Sequence, residues 1–419
     1  MRTRLVTISF SALVLACGKA PAPADAGPTP SDDPKDYAVD TSVEYVAQLG
    51  DAGFIIPSHA DPAQTLPILA SNNNVDIHFF GGRLWLAWRN GLTHFASQQV
   101  KMNIISSDDL GATWRFETQF DLGTDMREPH FLEANDGVLR FNFFQAGTNM
   151  LSFDPKTQWR TYLQADGGFA PLESWGLPEE ITWDVKRRGG VIYRGSYRGP
   201  HYDLSLPADA GIEVYFTQST DGLQWQPTEP DAGTVYVGGV SEFGWEFDEA
   251  GTLWAVLRNE DGDTTGFGSN VCTAQPGHYG TWECAPHSDP NRYDSPRMFR
   301  HGKDLYLVAR RDLGGPFDEG WDGGDFGAQK LKYLLDYSSR PKRSALYQID
   351  QQARQVVWLF DLPSAGDTAF PGIARLDAHT FLIANYTSPI DMPDLSWLQG
   401  QVCDCGTKIY LTTIHFAPK

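Results

Sequence analysis

A chain of 419 residues exceeds the usual length of one compact domain, yet closed all-β architectures reach this size as a single unit. Aromatic residues make up 13% of it, enough large side chains for a substantial core. The formal charge of −20, with no basic run in the body, excludes nucleic acid as a partner, because phosphate binding needs clustered Lys and Arg.

The chain opens with basic Met1-Arg2-Thr3-Arg4, then an apolar run from Leu5 to Ala16, then Cys17. This is the order of a signal peptide over residues 1–16, and the run is too short to span a membrane stably. Leu13-Val14-Leu15-Ala16-Cys17 resembles the bacterial lipobox, which implies a lipid anchor at Cys17 and an extracytoplasmic, membrane-attached protein at the cell surface or in the periplasm. Plain secretory cleavage is the alternative. Four cysteines remain without Cys17, an even number suited to an oxidising compartment. Cys272 and Cys284 lie across an expected hairpin, where a disulfide is predicted. Cys403 and Cys405, with only Asp404 between them, form either a tight bridge or part of a metal site whose other ligands are not evident. Residues 17–40 are rich in Ala, Pro, Asp and Gly without apolar periodicity, and read as a flexible tether before a folded domain over 41–419.

Short alternating runs punctuated by Gly, Asp and Pro predict antiparallel strands with little helix. A strand, a tight turn and a second strand that often ends in Arg recur at roughly 50–75 residues, the scale of propeller blades. The six copies open at Val75, Arg127, Ile181, Glu242, Ser295 and Ala369, with turns at Gly82, Asp136-Gly137, Gly190, Gly251, Gly302 and Ala378-His379. Such units bury little alone and gain stability by radial packing, so the expected fold is an all-β, six-bladed β-propeller. Val43 to Ala47 precedes the first copy and supplies either the outer strand of the last blade or part of a seventh.

Ser107-Asp108-Asp109-Leu110-Gly111-Ala112-Thr113-Trp114 carries the whole Asp-box pattern Ser-x-Asp-x-Gly-x-Thr-Trp. Ser219 to Trp225 is a looser copy, and Ser152 to Trp159 a decayed one. Each is expected to join the third and fourth strands of a blade in a structural role. Repeat and boxes together resemble the sialidase superfamily and its bacterial sialidase-like members.

That resemblance implies an arginine triad for the substrate carboxylate, a Tyr nucleophile activated by Glu, and an Asp acid/base. Carried over, Glu242 resembles the activating Glu and Arg258 one triad arginine. Arg343 resembles another, with Arg310 in competition. Asp76 stands where the first arginine would lie, Arg127 follows one blade later, and Arg89 ends a second strand. In Asp367-Thr368-Ala369-Phe370 the nucleophile position holds Phe370, which has no nucleophilic atom, so either Tyr386 or another group substitutes, or the chemistry differs, or the site only binds. Asp367 is grouped with the substrate-binding residues. A two-carboxylate scheme is the other chemistry, drawn from Asp76, Glu128, Glu180, Asp184, Glu242, Asp294 and Asp367, with Asp76 and Glu242 as the first pair. These groups are expected at the mouth formed by loops leaving the innermost strands. His78, His94 and His130 lack metal-ligand spacing and read as structural. Asp318, Glu319, Asp322 and Asp325 read as a solvated loop, with calcium as the alternative. The resulting expectation is a monomeric, cofactor-independent, exo-acting glycoside hydrolase of sialidase-like type, acting on an acidic or complex glycan. A non-catalytic glycan-binding propeller is the alternative.

Overall fold

Every one of the six repeats folds as an antiparallel hairpin, and in five of them, all but blade 6, the turn is kept tight by glycine. Gly82 (φ +79°) and Gly251 (φ +87°) adopt backbone angles that a Cβ would strain. The computed structural model describes residues 31–57, 66–150, 153–209, 211–230, 232–320 and 323–419; the signal segment and Cys17 lie outside the described residues.

Each hairpin gains two outer strands to make a blade. Blade 1 is Ser71–Phe80, Arg83–Gly91, Lys101–Ser107 and Arg115–Phe120; blade 2 is Met126–Glu133, Leu139–Ala146, Pro155–Tyr162 and Glu173–Trp175. Blade 3 is Ile181–Arg188, Val191–Arg198, Ile212–Ser219 and Gln226–Pro227, with Tyr236–Gly238 also on its third strand. Blade 4 is Glu242–Phe247, Leu253–Arg258, Ser269–Ala274 and Glu283–Cys284; blade 5 is Asp294–His301, Asp304–Asp312, Lys342–Asp350 and Gln355–Asp361. Blade 6 takes Gly372–Arg375, Thr380–Thr387 and Lys408–Pro418 from the end of the chain and its outer strand, Tyr45–Leu49, from the beginning. Tyr45 lies opposite Pro418 and Leu49 opposite Ile414, so the fold is a six-bladed β-propeller closed by its own N-terminal strand.

Aromatic side chains fill the wedges between blades. Trp88, Trp183 and Trp245, from blades 1, 3 and 4, are fully buried in one continuous core. Between blades 5 and 6, Phe416 stacks on His301 at 4.2 Å and approaches Tyr306 at 4.7 Å. Cys272 and Cys284 face each other on neighbouring strands of blade 4 and are disulfide-bonded; Cys403 is bonded to Cys405.

The Asp boxes are turn devices. Ser107 Oγ accepts from the Gly111 amide at 2.8 Å, Asp109 accepts from the Thr113 amide at 2.8 Å, and Trp114 packs on the core. Ser219 and Asp221 repeat this pattern toward Gly222 and Gln224. The segment Ser152 to Trp159 differs from expectation: its first residue lies outside the described residues, and the rest leads into the third strand of blade 2 instead of leaving it.

The tether is also shorter than composition suggested. Asp32 accepts from His78 at 2.8 Å and from the Arg375 amide at 3.2 Å, Asp33 binds the Gly189 amide, and the Arg375 guanidinium lies 4.1 Å from the Tyr37 ring centroid. Residues 31–37 are thus packed across one end of the axial channel.

Replacing Phe416 by Ala removes the ring that joins blades 5 and 6 and is expected to cost about 3–5 kcal/mol, seen as a lower denaturant midpoint. An unchanged midpoint would mean that this interface adds no stability.

Candidate active site

The six innermost strands run from one mouth of the channel toward the other, and their first residues decide what the mouth contains. In four blades a β-bulge interrupts the pairing there, at Asn73/Val75, Arg127/His130, Thr182/Asp184 and Asp294/Arg297. A bulge re-aims a side chain. Asn74 (φ +47°), Glu128 (φ +48°), Ser295 (φ +52°) and, in blade 6, Phe370 (φ +81°) all hold left-handed backbone angles, and all four line one pocket. Such angles cost a residue with a Cβ about 1–2 kcal/mol, and clusters of them mark functional sites.

The pocket is completed by the ends of the second strands and the connections that follow. These bring Arg258, Arg310, Glu260, Tyr197, Tyr202, Tyr386, His94, His201 and Trp397 to Arg127 and Glu242, which open the first strands of blades 2 and 4. Phe370 closes it from below, its ring 4.7 Å from Trp183 and 6.5 Å from His130. The mouth is therefore formed where chain enters the first strands and leaves the second. The turns leaving the first strands, where the site was expected, are tight and face the opposite end.

Most charges here are matched. Arg258 binds Glu242 at 2.7 Å, Asp294 at 2.8 Å and also Glu260. Asp294 further binds Arg292 at 2.7 Å and lies 3.7 Å from Arg310. Burial works against the Asp294 charge, but Arg258, Arg292 and Arg310 outweigh it and hold the carboxyl below its usual range. Arg310 also donates to the Thr368 carbonyl at 2.7 Å, and Arg127 to Asp125 at 2.6 Å and the His94 carbonyl at 2.9 Å. Glu242 accepts the Ser295 amide at 2.7 Å, and burial raises its pKa against the pull of Arg258.

Glu128 differs. It makes no ion pair among the described residues and accepts only a long hydrogen bond from Asn74 Nδ2, at 3.3 Å. Burial pushes its carboxyl up to about 8; Arg127 opposes this, and the Glu242 charge reinforces it. A carboxyl whose neutral form is favoured thus shares a small polar pocket with Glu242.

The residues singled out in sequence divide. Glu242, Arg127, Arg258, Arg310 and Tyr386 meet in this pocket. Asp367 stands behind it, fully buried, accepting from His94 at 2.8 Å and the Tyr386 hydroxyl at 3.2 Å. Three do not join them. Arg89 is fully buried and spends its donors on Asp125 at 2.7 Å and on the carbonyls of Thr93 and Phe95. Arg343 lies on the third strand of blade 5, opposite Arg311, and binds the Pro393 carbonyl at 3.1 Å, away from the axis. Asp76 faces the axis two residues beyond Asn74, roughly 7 Å further along the strand. It therefore lines the opposite cavity with Asp184 and Arg297, where burial raises its carboxyl to about 6. Asp76 and Glu242 do not form a pair.

His94, read as structural, lines the pocket, as do Glu260, Tyr202 and Trp397, which sequence reasoning missed. All four lie in long connections after second strands. Glu180 is tied to Arg194 at 2.9 Å inside blade 3. Asp318 accepts the Phe267 and Gly268 amides, and Asp325 caps the helix Phe326–Ser339. Among the described residues no three His, Cys, Asp or Glu side chains gather as a metal site.

No family model and no curated protein sequence matches the chain. Solved structures resemble it in shape. A protein of unknown function from Dyadobacter fermentans DSM 18053 superposes with a TM-score of 0.56 at 12% identity, over 88% of this chain and 99% of its own. A Penicillium chrysogenum alpha-L-arabinanase complexed with arabinobiose gives 0.47 at 12%, over 88% and 97%, and a mutant Trypanosoma rangeli sialidase gives 0.48 at 11%, over 82% and 54%. At such identities the likeness concerns the fold alone.

Proposed function

We propose that the protein is a glycoside hydrolase that removes a terminal sugar bound in this pocket, with Glu128 as general acid and Glu242 as the second carboxylate. The observation that carries this reading is the placement of Glu128: it is buried in the same pocket as Glu242 and makes no ion pair among the described residues. A leaving-group oxygen needs a proton donor at neutral pH, and a carboxyl raised to about 8 by burial is one. Closure by Phe370 favours a chain end over a chain interior.

Within this class the two-carboxylate scheme fits better than the tyrosine scheme of sialidases. Phe370 has no nucleophilic atom. Burial raises the Tyr386 hydroxyl well above its ordinary pKa, Asp367 adds to this, and the phenolate is disfavoured. The Arg258 nitrogens are already engaged by Glu242, Glu260 and Asp294, which favours a neutral sugar over an acidic one.

The decisive assay is a panel of aryl glycosides, including a sialic acid derivative, tested with the native protein, Glu128→Gln and Glu242→Gln. A neutral glycoside should be cleaved, and Glu128→Gln should lower kcat by about 10²–10⁴-fold. Because the raised pKa keeps the acid protonated up to about 8, native activity should fall as pH rises through that value, and the variant should lack this limb. Glycan binding without turnover, or turnover indifferent to both variants, would remove the proposal.

We also carry export and lipidation at Cys17 into this reading. Cys17→Ser should move the protein from the detergent phase to the aqueous phase on Triton X-114 partition; unchanged partition would argue against the anchor.

A further inference from the structure

The pocket does not end at its rim. It measures about 90 Å³ and opens into a groove of about 510 Å³, with which it shares His94, Arg127, Phe153, Tyr202, Glu260 and Trp397. Past these residues the wall changes character: Asp125, Asn149, Asp154, Ser338 and Gln401 still contribute to it, but most of it is hydrocarbon, from Phe95, Met150, Leu204, Leu331, Leu334 and Leu398. They come from the second-to-third connections of blades 1, 2, 3, 5 and 6.

Packing does not account for this hydrocarbon surface. Met150 is 56% exposed, Leu331 43% and Leu398 46%. The helix Phe326–Ser339 turns Tyr333 and Tyr337 inward, against Phe267 at 4.6 Å and Phe317 at 5.6 Å, and leaves Leu331 and Leu334 on the groove side. An amphipathic helix ordinarily buries its leucines. A contiguous exposed apolar patch with a polar pocket at its end marks a site for a ligand with both characters.

We infer that the groove is the leaving-group site and takes an apolar aglycone, so that the substrate class is glycosides of apolar alcohols. This rests on the hydrolase reading of the pocket. With Phe370 closing the inner side, the glycosidic oxygen of a bound terminal sugar points outward, and whatever it carries lies along this wall. A further sugar there would need hydrogen-bond partners, and the wall offers mainly hydrocarbon. Hydrolysis breaks the anomeric C–O bond, gives the Glu128 proton to the leaving oxygen and the hydroxyl of water to the sugar, passes the water's second proton to the carboxylate pair so that Glu128 is protonated again, and releases the apolar alcohol.

Two measurements on the full chain test this and separate its failure from that of the hydrolase reading. The neutral apolar fluorophore N-phenyl-1-naphthylamine should bind with a gain in emission, be displaced by octyl glucoside but not by methyl glucoside, and bind at least roughly tenfold more weakly to the double variant Leu331→Asp/Leu398→Asp. For n-alkyl glycosides of the sugar cleaved in the aryl panel, kcat/KM should rise by roughly fourfold for each methylene fully buried, and the octyl-to-methyl ratio should collapse in the double variant. Equal turnover of methyl and octyl glycosides overturns the aglycone proposal and leaves the hydrolase reading standing. Fluorophore binding lost in the double variant, with no glycoside cleaved, supports the apolar site and removes the hydrolase reading. No fluorophore binding, or binding indifferent to the double variant, overturns the groove.

Discussion

Water is scarce at the propeller axis, so a carboxyl there keeps its charge only when a cation compensates for lost hydration. The chemistry proposed for the pocket follows from one place where compensation is missing. Asp125 has Arg89 and Arg127, Asp294 has three guanidinium groups, and Glu242 and Glu260 share Arg258. Glu128 has the nearby but otherwise engaged Arg127, the amide of Asn74 and the opposing charge of Glu242. Its proton is what remains when the other acids have taken the available cations.

The fold supplies this imbalance at an energetic cost. Glu128 reaches the pocket only because its strand bulges and its backbone takes a left-handed angle, as do the strands carrying Asn74 and Ser295. Such strain persists where surrounding structure over-determines it, and a ring of blades does so: each inner strand is held by its own sheet and wedged between its neighbours. The closing strand Tyr45–Leu49 couples the ends of the chain to that ring, so local strain at the mouth is backed by the whole circle.

The architecture was legible in sequence because the hairpins declare themselves through alternation and, in all but the last, a glycine turn. Glu242 and Arg258, singled out in sequence through the family resemblance, fall opposite each other in register. The misplacements have geometric causes. Arg343 is two strands out from the axis, a displacement of roughly 10 Å that its position in an apparently matching motif does not reveal. Asp76 has the right face but the wrong depth. Glu128 sat among the candidate carboxylates, yet its bulge and its missing cation are tertiary facts. Glu260, Tyr202 and Trp397 went unrecognised, and His94 was read as structural, because the site was expected at the short turns after the first strands. The signal that could have found them was length, since the connections 92–100, 199–211, 259–268 and 388–407 far exceed those turns.

The central claim is that Glu128 carries a proton at neutral pH, and its own titration tests this without reference to any substrate. Carboxyl-labelled glutamate in the native protein and in Glu128→Gln, followed by ¹³C NMR across pH 4–10, should show one resonance titrating near 8 that is absent from the variant. A Glu128 resonance titrating near the ordinary 4.5 would contradict the account.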